Sequence, residues 1–191
     1  MRYRTGSDMS PVITLIIISG ALFLATLFSP GLVILLGLQQ PSQLLTHPWT
    51  LVTNLFIHAG WGHIITNMLT LYFFGTFLLN LVGQNMFLLI YFGAGIAGNI
   101  LLLLLYPIFP FFIAVGASGA IFGLGGTLTA LRPKVQVYVF PIPAPIPLWV
   151  SVIGGFVIIS FVPGVAWQGH LGGLLLGLIA GWFLKRKRYY Y

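Results

Sequence analysis

Residues 168–188 read QGHLGGLLLGLIAGWFLKRKR, an uncharged apolar run ending abruptly in Lys185, Arg186, Lys187 and Arg188. A helix that crosses the hydrocarbon of a bilayer needs about 20 mostly apolar residues. A basic cluster at its end is the usual mark of the cytoplasmic side. Glycines recur at 169, 173, 177 and 181. That four-residue period makes a flat ridge along one helix face, against which another helix can pack at close range. The stretch therefore predicts a bundle of closely packed membrane helices.

The rest of the chain agrees. Of its 191 residues, 59% are hydrophobic and 5% are charged. A soluble domain carries about 25% charged residues, so a chain this poor in charge cannot cover itself with a solvated surface. Asp8 is the only acidic residue, and no charged residue occurs between Met9 and Leu131. The basic residues fall at Arg2 and Arg4, at Arg132 and Lys134, and at 185–188. The net charge of +7 does not indicate a nucleic-acid face, which needs basic residues spread along a groove. These cluster instead as flanks of apolar runs. Cysteine is absent, which excludes disulfides, thiolate catalysis and Cys-based metal sites.

The predicted fold class is an all-α polytopic membrane protein, a bundle of six transmembrane helices in a single domain, 1–191. The spans are expected at 11–28, 58–81, 85–106, 116–132, 148–163 and 168–184. Turn chemistry marks the breaks at Ser29-Pro30-Gly31, Gly83-Gln84-Asn85, Tyr106-Pro107, Arg132-Pro133 and Pro163-Gly164. Residues 140–147 hold four prolines and are expected to be extended or irregular. The N-terminus resembles a signal peptide, but no small-residue cleavage site is evident, and it reads as a retained first helix. With six spans and the N-terminus inside, all eight Lys and Arg residues lie in the cytoplasm; five or seven spans put a basic cluster outside. The segment from Pro30 to Phe56 then lies outside, partly in the membrane interface. A prokaryotic cytoplasmic membrane is the expected location.

Little reactive chemistry remains inside such a chain. Aspartyl proteolysis, His-Glu-x-x-His metalloproteolysis and carboxylate proton relays all lack their acids. Histidines, hydroxyls and amides are left, and polar groups in lipid invite a functional reading. Gly116-Ala117-Ser118-Gly119 opens span four. Its glycines expose backbone amides near a helix N-terminus, where they can stabilise an oxyanion; taken alone it reads rather as a small-residue packing patch. Gly169-His170 opens span six. Gly119 and Gly123 offer span four the same spacing as the ridge of span six (Gly169, Gly173, Gly177). Close packing of the two brings Ser118 and His170 together at matching depth, as nucleophile and general base; the competing reading makes His170 a polar residue gluing two helices. The third group is His58-x4-His63-x3-Asn67. His63 and Asn67 share a helix face and can donate hydrogen bonds to developing negative charge. His58 precedes or starts that helix. A three-histidine metal site of His58, His63 and His170 and simple helix glue both compete. In the six-span arrangement all these residues fall in the outer part of the membrane.

Together these motifs resemble the rhomboid family of intramembrane serine proteases. The family pattern has His-x4-His-x3-Asn in the second span, Gly-x-Ser-Gly at the fourth and a histidine within a glycine ridge in the sixth, and all three occur here in order between Trp49 and Gly181. The resemblance implies the minimal six-helix form, with Ser118 as nucleophile and His170 as its base. It implies His63, Asn67 and the Ser118 amide as the oxyanion hole. His58 takes a more structural role, and Phe122 packs on the catalytic histidine. The family's outer loop commonly carries Trp-Arg; here Trp49 is followed by Thr50, which removes the arginine's hydrogen bonds from that loop.

The expected function is that of an intramembrane serine endopeptidase using a Ser-His dyad near the outer side of the bilayer, with no cofactor and no metal. Its partners are transmembrane protein substrates and the lipid bilayer. The alternative is a non-catalytic relative that binds transmembrane helices. A transporter needs polar residues across both halves of the bilayer, whereas those here concentrate in the outer half.

Overall fold

A computed structural model describes residues 9–139 and 142–188. Arg2, Arg4 and Asp8, and Phe140 and Pro141 of the proline-rich stretch, lie outside the described residues. Among the described residues eight α-helices follow in order: α1 (Ser10–Phe28), α2 (Gly31–Leu36), α3 (Thr50–Thr53), α4 (Trp61–Val82), α5 (Gln84–Leu104), α6 (Ser118–Leu131), α7 (Leu148–Ser160) and α8 (Trp167–Arg188). A two-residue antiparallel pairing of β1 (Gln136–Val137) with β2 (Ile146–Pro147) joins α6 to α7. The chain is thus an all-α polytopic membrane protein. By length and composition α1, α4 and α5 can each cross a membrane, whereas α6 and α7 are shorter apolar helices.

The helix ends fall within a few residues of the approximate expected spans, and two of them bear on the site. The fourth span was placed at 116–132, but α6 starts at Ser118. Gly116 has φ +121, a conformation outside the helical region that favours glycine, so the chain reaches Ser118 as a loop. The fifth was placed at 148–163, but α7 ends at Ser160. There Val162 N–H donates to the Ile159 carbonyl and Val165 N–H to the Val162 carbonyl, and Gly164 turns at φ +80. Irregular backbone at membrane depth survives only where protein buries it or where it lines a wet cavity. Both departures occur at the end of the bundle that carries the polar motifs.

Helix α6 touches α4, α5, α7 and α8, and from Gly123 to Leu128 all six of its residues are buried. A helix without a polar face must be surrounded in this way. Its contact with α8 is backbone on backbone. A Cβ at Gly173 would collide with the Gly119 carbonyl, and one at Gly177 with the Gly123 carbonyl. Only glycine allows that approach. Farther inward, the Thr127 hydroxyl bonds the Gly123 and Gly177 carbonyls at 2.9 and 3.0 Å, tying the two helices. Helix α5 closes the triangle: a side chain at Gly172 would stand 2.8 Å from the Ala97 carbonyl, and one at Gly98 would strike the Gly169 carbonyl. Val12, Leu71, Phe87, Tyr91 and Leu124 fill the core where α1 and α4 meet this unit. Helix α7 is attached more lightly, burying only Leu148 and Val152.

The segment between α1 and α4 is held by polar bonds. Leu38 and Ala114 exchange backbone bonds of 2.9 and 2.8 Å, joining it to the loop before α6. The Thr53 hydroxyl and the Trp49 indole donate to the Leu36 and Leu35 carbonyls at 2.7 and 2.9 Å.

Candidate active site

Three chain segments bring the polar motifs to one end of the bundle. The first is the loop into α6. Gly116 N–H donates to the Asn54 carbonyl at 2.9 Å, which anchors the turn, and Ser118 follows as the first helical residue. No side chain caps this N-terminus. The first amides of a helix have no intrahelical acceptor, so the amide of Ser118 belongs to a donor set suited to an anion.

The second segment is the first turn of α8. His170 is buried, and its Nε2 lies 2.7 Å from Ser118 Oγ. The Gly173–Gly119 backbone contact one turn inward sets this distance. Phe122, one turn beyond Ser118, stacks on the imidazole with centroids 4.9 Å apart and planes tilted by 35°. Phe122 is itself met edge-on by Phe156 of α7 at 5.8 Å. Nδ1 of His170 is buried and has no protein partner. Packing, not a carboxylate, fixes the ring.

The third segment is the start of α4. An added Cβ at Gly116 would sit 2.6 Å from His63 Nε2 and 3.7 Å from Ser118 Oγ, so both polar atoms converge on the space over that glycine. Asn67 Nδ2 donates to the His63 carbonyl at 2.9 Å, leaving one amide hydrogen over. His58 precedes α4, is buried, and packs edge-on against His63 with centroids 5.1 Å apart. Its Nδ1 lies 3.3 Å from the Phe56 carbonyl. Among the described residues, no three His, Asp or Glu side chains gather as a ligand set.

The remaining expected residues surround this centre. Gly119 and Gly123 on α6 meet Gly169, Gly173 and Gly177 on α8. Trp49 lies in the segment between α1 and α4, stacked edge-on with His47 at 5.0 Å. Thr50 is buried and its hydroxyl donates to the His47 carbonyl at 2.7 Å, so its bond stays within the loop. Two residues that sequence reading passed over belong to the same frame. Asn54 and Asn99 are buried and bond each other reciprocally, at 3.0 and 2.8 Å. The signal was present: an asparagine deep in the apolar run that follows Asn85 of α5 is costly in lipid unless paired.

A serine hydroxyl on an imidazole nitrogen beside uncapped amides is the geometry of a nucleophile with its general base. Comparison with known proteins points the same way. The family model for the Rhomboid domain matches residues 45–187. The chain is similar to Rhomboid protein 1, mitochondrial, of Saccharomyces cerevisiae, with 31% identity over 72% of this chain and 42% of that protein. It is 30% identical to YdcA of Bacillus subtilis, over 73% of this chain and 69% of that one. It is 36% identical to Rhomboid protease GluP of the same bacterium, over 69% of this chain and 25% of that one. The chain thus spans less than half the length of two of these relatives. The matched region holds α4 to α8 and with them Ser118, His170, His63 and Asn67, and on this match the chain belongs to the rhomboid family.

Proposed function

We propose that this protein is an intramembrane serine endopeptidase that cleaves transmembrane segments of other membrane proteins with a Ser118–His170 dyad. The observation that carries the reading is the 2.7 Å contact between His170 Nε2 and Ser118 Oγ, made across a glycine-lined interface. Ser118 Oγ attacks a peptide carbonyl carbon, and its proton passes to His170 Nε2. The carbonyl oxygen becomes an oxyanion, met by the Ser118 amide, the His63 ring and the free hydrogen of Asn67. The intermediate collapses, the amine leaves with the proton from His170, and water then releases the acyl group through the same pair. No acid orients the imidazole, so stacking by Phe122 takes that part. His58 supports His63 from behind.

Depth follows from the length of α6. Its 14 residues span about 21 Å, against about 30 Å of hydrocarbon. With Arg132 at the inner boundary, Ser118 lies about 9 Å beneath the outer one. The basic flanks favour this orientation, with both termini in the cytoplasm. A substrate helix must unwind to present its carbonyl there, so segments weakened by glycine near the outer end are the favoured substrates. That a relative is named a rhomboid protease supports the reaction class.

The test is cleavage of a model transmembrane substrate in liposomes by the native protein, Ser118→Ala and His170→Ala, each with and without a chelator. Cleavage lost in both variants and indifferent to chelator is the expected result. Cleavage that survives Ser118→Ala sinks the mechanism. Folded native protein that binds but never cuts substrate makes this a helix-binding relative instead.

A further inference from the structure

The polar pair formed by Asn54 and Asn99 lies beneath the loop that presents Ser118. Asn99 projects from α5, a helix that supplies no residue to the chemistry above. Its Nδ2 donates to the Asn54 carboxamide oxygen and to the Leu51 carbonyl, both at 2.8 Å. Asn54 Nδ2 returns a bond of 3.0 Å to the Asn99 carboxamide oxygen. The two residues are 2% and 6% exposed, so water does not compete for these bonds. The Asn54 backbone carbonyl accepts the Gly116 N–H, two residues before Ser118. The neighbour of Asn99, Gly98, lies against the Gly169 carbonyl, one residue before His170. One turn of α5 therefore reaches toward both halves of the dyad, the serine side through the side chain of Asn54 and the histidine side through its backbone contact with Gly169.

We infer that Asn54 and Asn99 are positioning residues that act through the Gly116 amide to hold Ser118 in register with His170. The inference rests on the protease reading above for its kinetic consequences, but not for its structural one. Gly116 has a backbone conformation outside the helical region and no side chain of its own to anchor it. The bond to Asn54 holds it, and Asn54 is held in turn by two hydrogen bonds to Asn99, which a third ties to the Leu51 carbonyl. Two buried carboxamides that satisfy each other form a rigid unit; half of such a pair leaves unsatisfied groups in a dry site.

The experiment compares the native full chain in micelles with Asn99→Ala, Asn54→Ala, the double variant and Leu128→Ala. Leu128 is fully buried on α6, ten residues beyond Ser118, and supplies a destabilised comparator. Two readouts are taken: kcat and KM on a transmembrane substrate, and amide hydrogen exchange over residues 112–118. Each asparagine variant is expected to lower kcat about 10- to 100-fold with KM little changed. The double variant is expected to be no slower than the worse single one, because the two act as a unit. Exchange at Gly116 is expected to rise about tenfold in both single variants and to stay native in Leu128→Ala. Additive losses in the double variant, or native protection of Gly116 in Asn99→Ala, overturn the proposal. If Asn99→Ala does not fold, Asn99→Ser is measured by the same criteria. If the native protein proves inactive, the protease reading falls, and the exchange of Gly116 still decides the role of the pair.

Discussion

Substituting Gly173 by alanine adds one methyl group where α8 rests on α6. An ideal Cβ there falls well inside 3.0 Å of the Gly119 carbonyl oxygen, and the obstacle is backbone, not a flexible side chain. Carbon and carbonyl oxygen settle at about 3.3–3.6 Å, so the helices must part by about 1 Å or more. Gly173 is one turn from His170 and Gly119 adjoins Ser118, so the parting is transmitted to the dyad. A 2.7 Å hydrogen bond lengthened by about 1 Å no longer qualifies as one. A misplacement of that size costs about 100-fold in rate, or about 2.7 kcal/mol of barrier. Overpacking also costs stability, about 1–3 kcal/mol. Two comparators separate these effects. Gly181→Ala meets the Ala130 side chain and the Thr127 carbonyl, both at 2.7 Å, overpacking the same pair of helices at their far end. Gly154→Ala on α7 meets nothing within 4 Å and should leave both quantities near native. The assay is kcat on a transmembrane substrate, with the rate of Ser118 labelling by a fluorophosphonate and thermal unfolding in the same detergent. The expected order is a large kcat loss for Gly173→Ala, a smaller one for Gly181→Ala at similar loss of stability, and none for Gly154→Ala. A Gly173→Ala variant within about threefold of native kcat, a difference of under 1 kcal/mol, refutes the claim that this contact sets the Ser118–His170 distance.

Three other outcomes are expected. Gly116→Ala should reduce kcat about 100-fold or more, because its Cβ would stand 2.6 Å from His63 Nε2 at a φ of +121; native rates in that variant would remove His63 from the site. Phe122→Ala should lower kcat about tenfold while substrate KM holds, since it frees an imidazole whose Nδ1 has no hydrogen-bond partner in the protein; fluorophosphonate labelling reads the same loss without substrate. Thr127→Val should cost about 0.6–2 kcal/mol of stability by removing the bonds to the Gly123 and Gly177 carbonyls, with kcat near native, and thermal unfolding checks it.

What the sequence determined by itself is what depends on residue type and local period. Near-absence of charge requires lipid as solvent, and the lengths of the apolar runs locate the helices to within a few residues. The glycines of α8 recur every four positions, so they lie on one face wherever that helix packs. Ser118, His170, His63 and Asn67 stand out because the apolar run from Met9 to Leu131 and the span of His170 hold no acid, lysine or thiol before Lys185. Tertiary structure alone decided what depends on partners far apart in the chain. The period of α8 cannot say that Gly173 meets Gly119 or that Gly172 meets Ala97 of α5, because many registers bury the same ridge. The start of α6 at Ser118 follows from the Asn54–Gly116 bond and the Leu38–Ala114 bridge, both of which join remote segments. Asn54 and Asn99 carry no recognisable spacing, being 45 residues apart, and become a unit only when α5 packs beneath the loop. A hydrogen bond of 2.7 Å is the sum of such contacts, each set by close packing of backbone on backbone, and no local pattern encodes that sum.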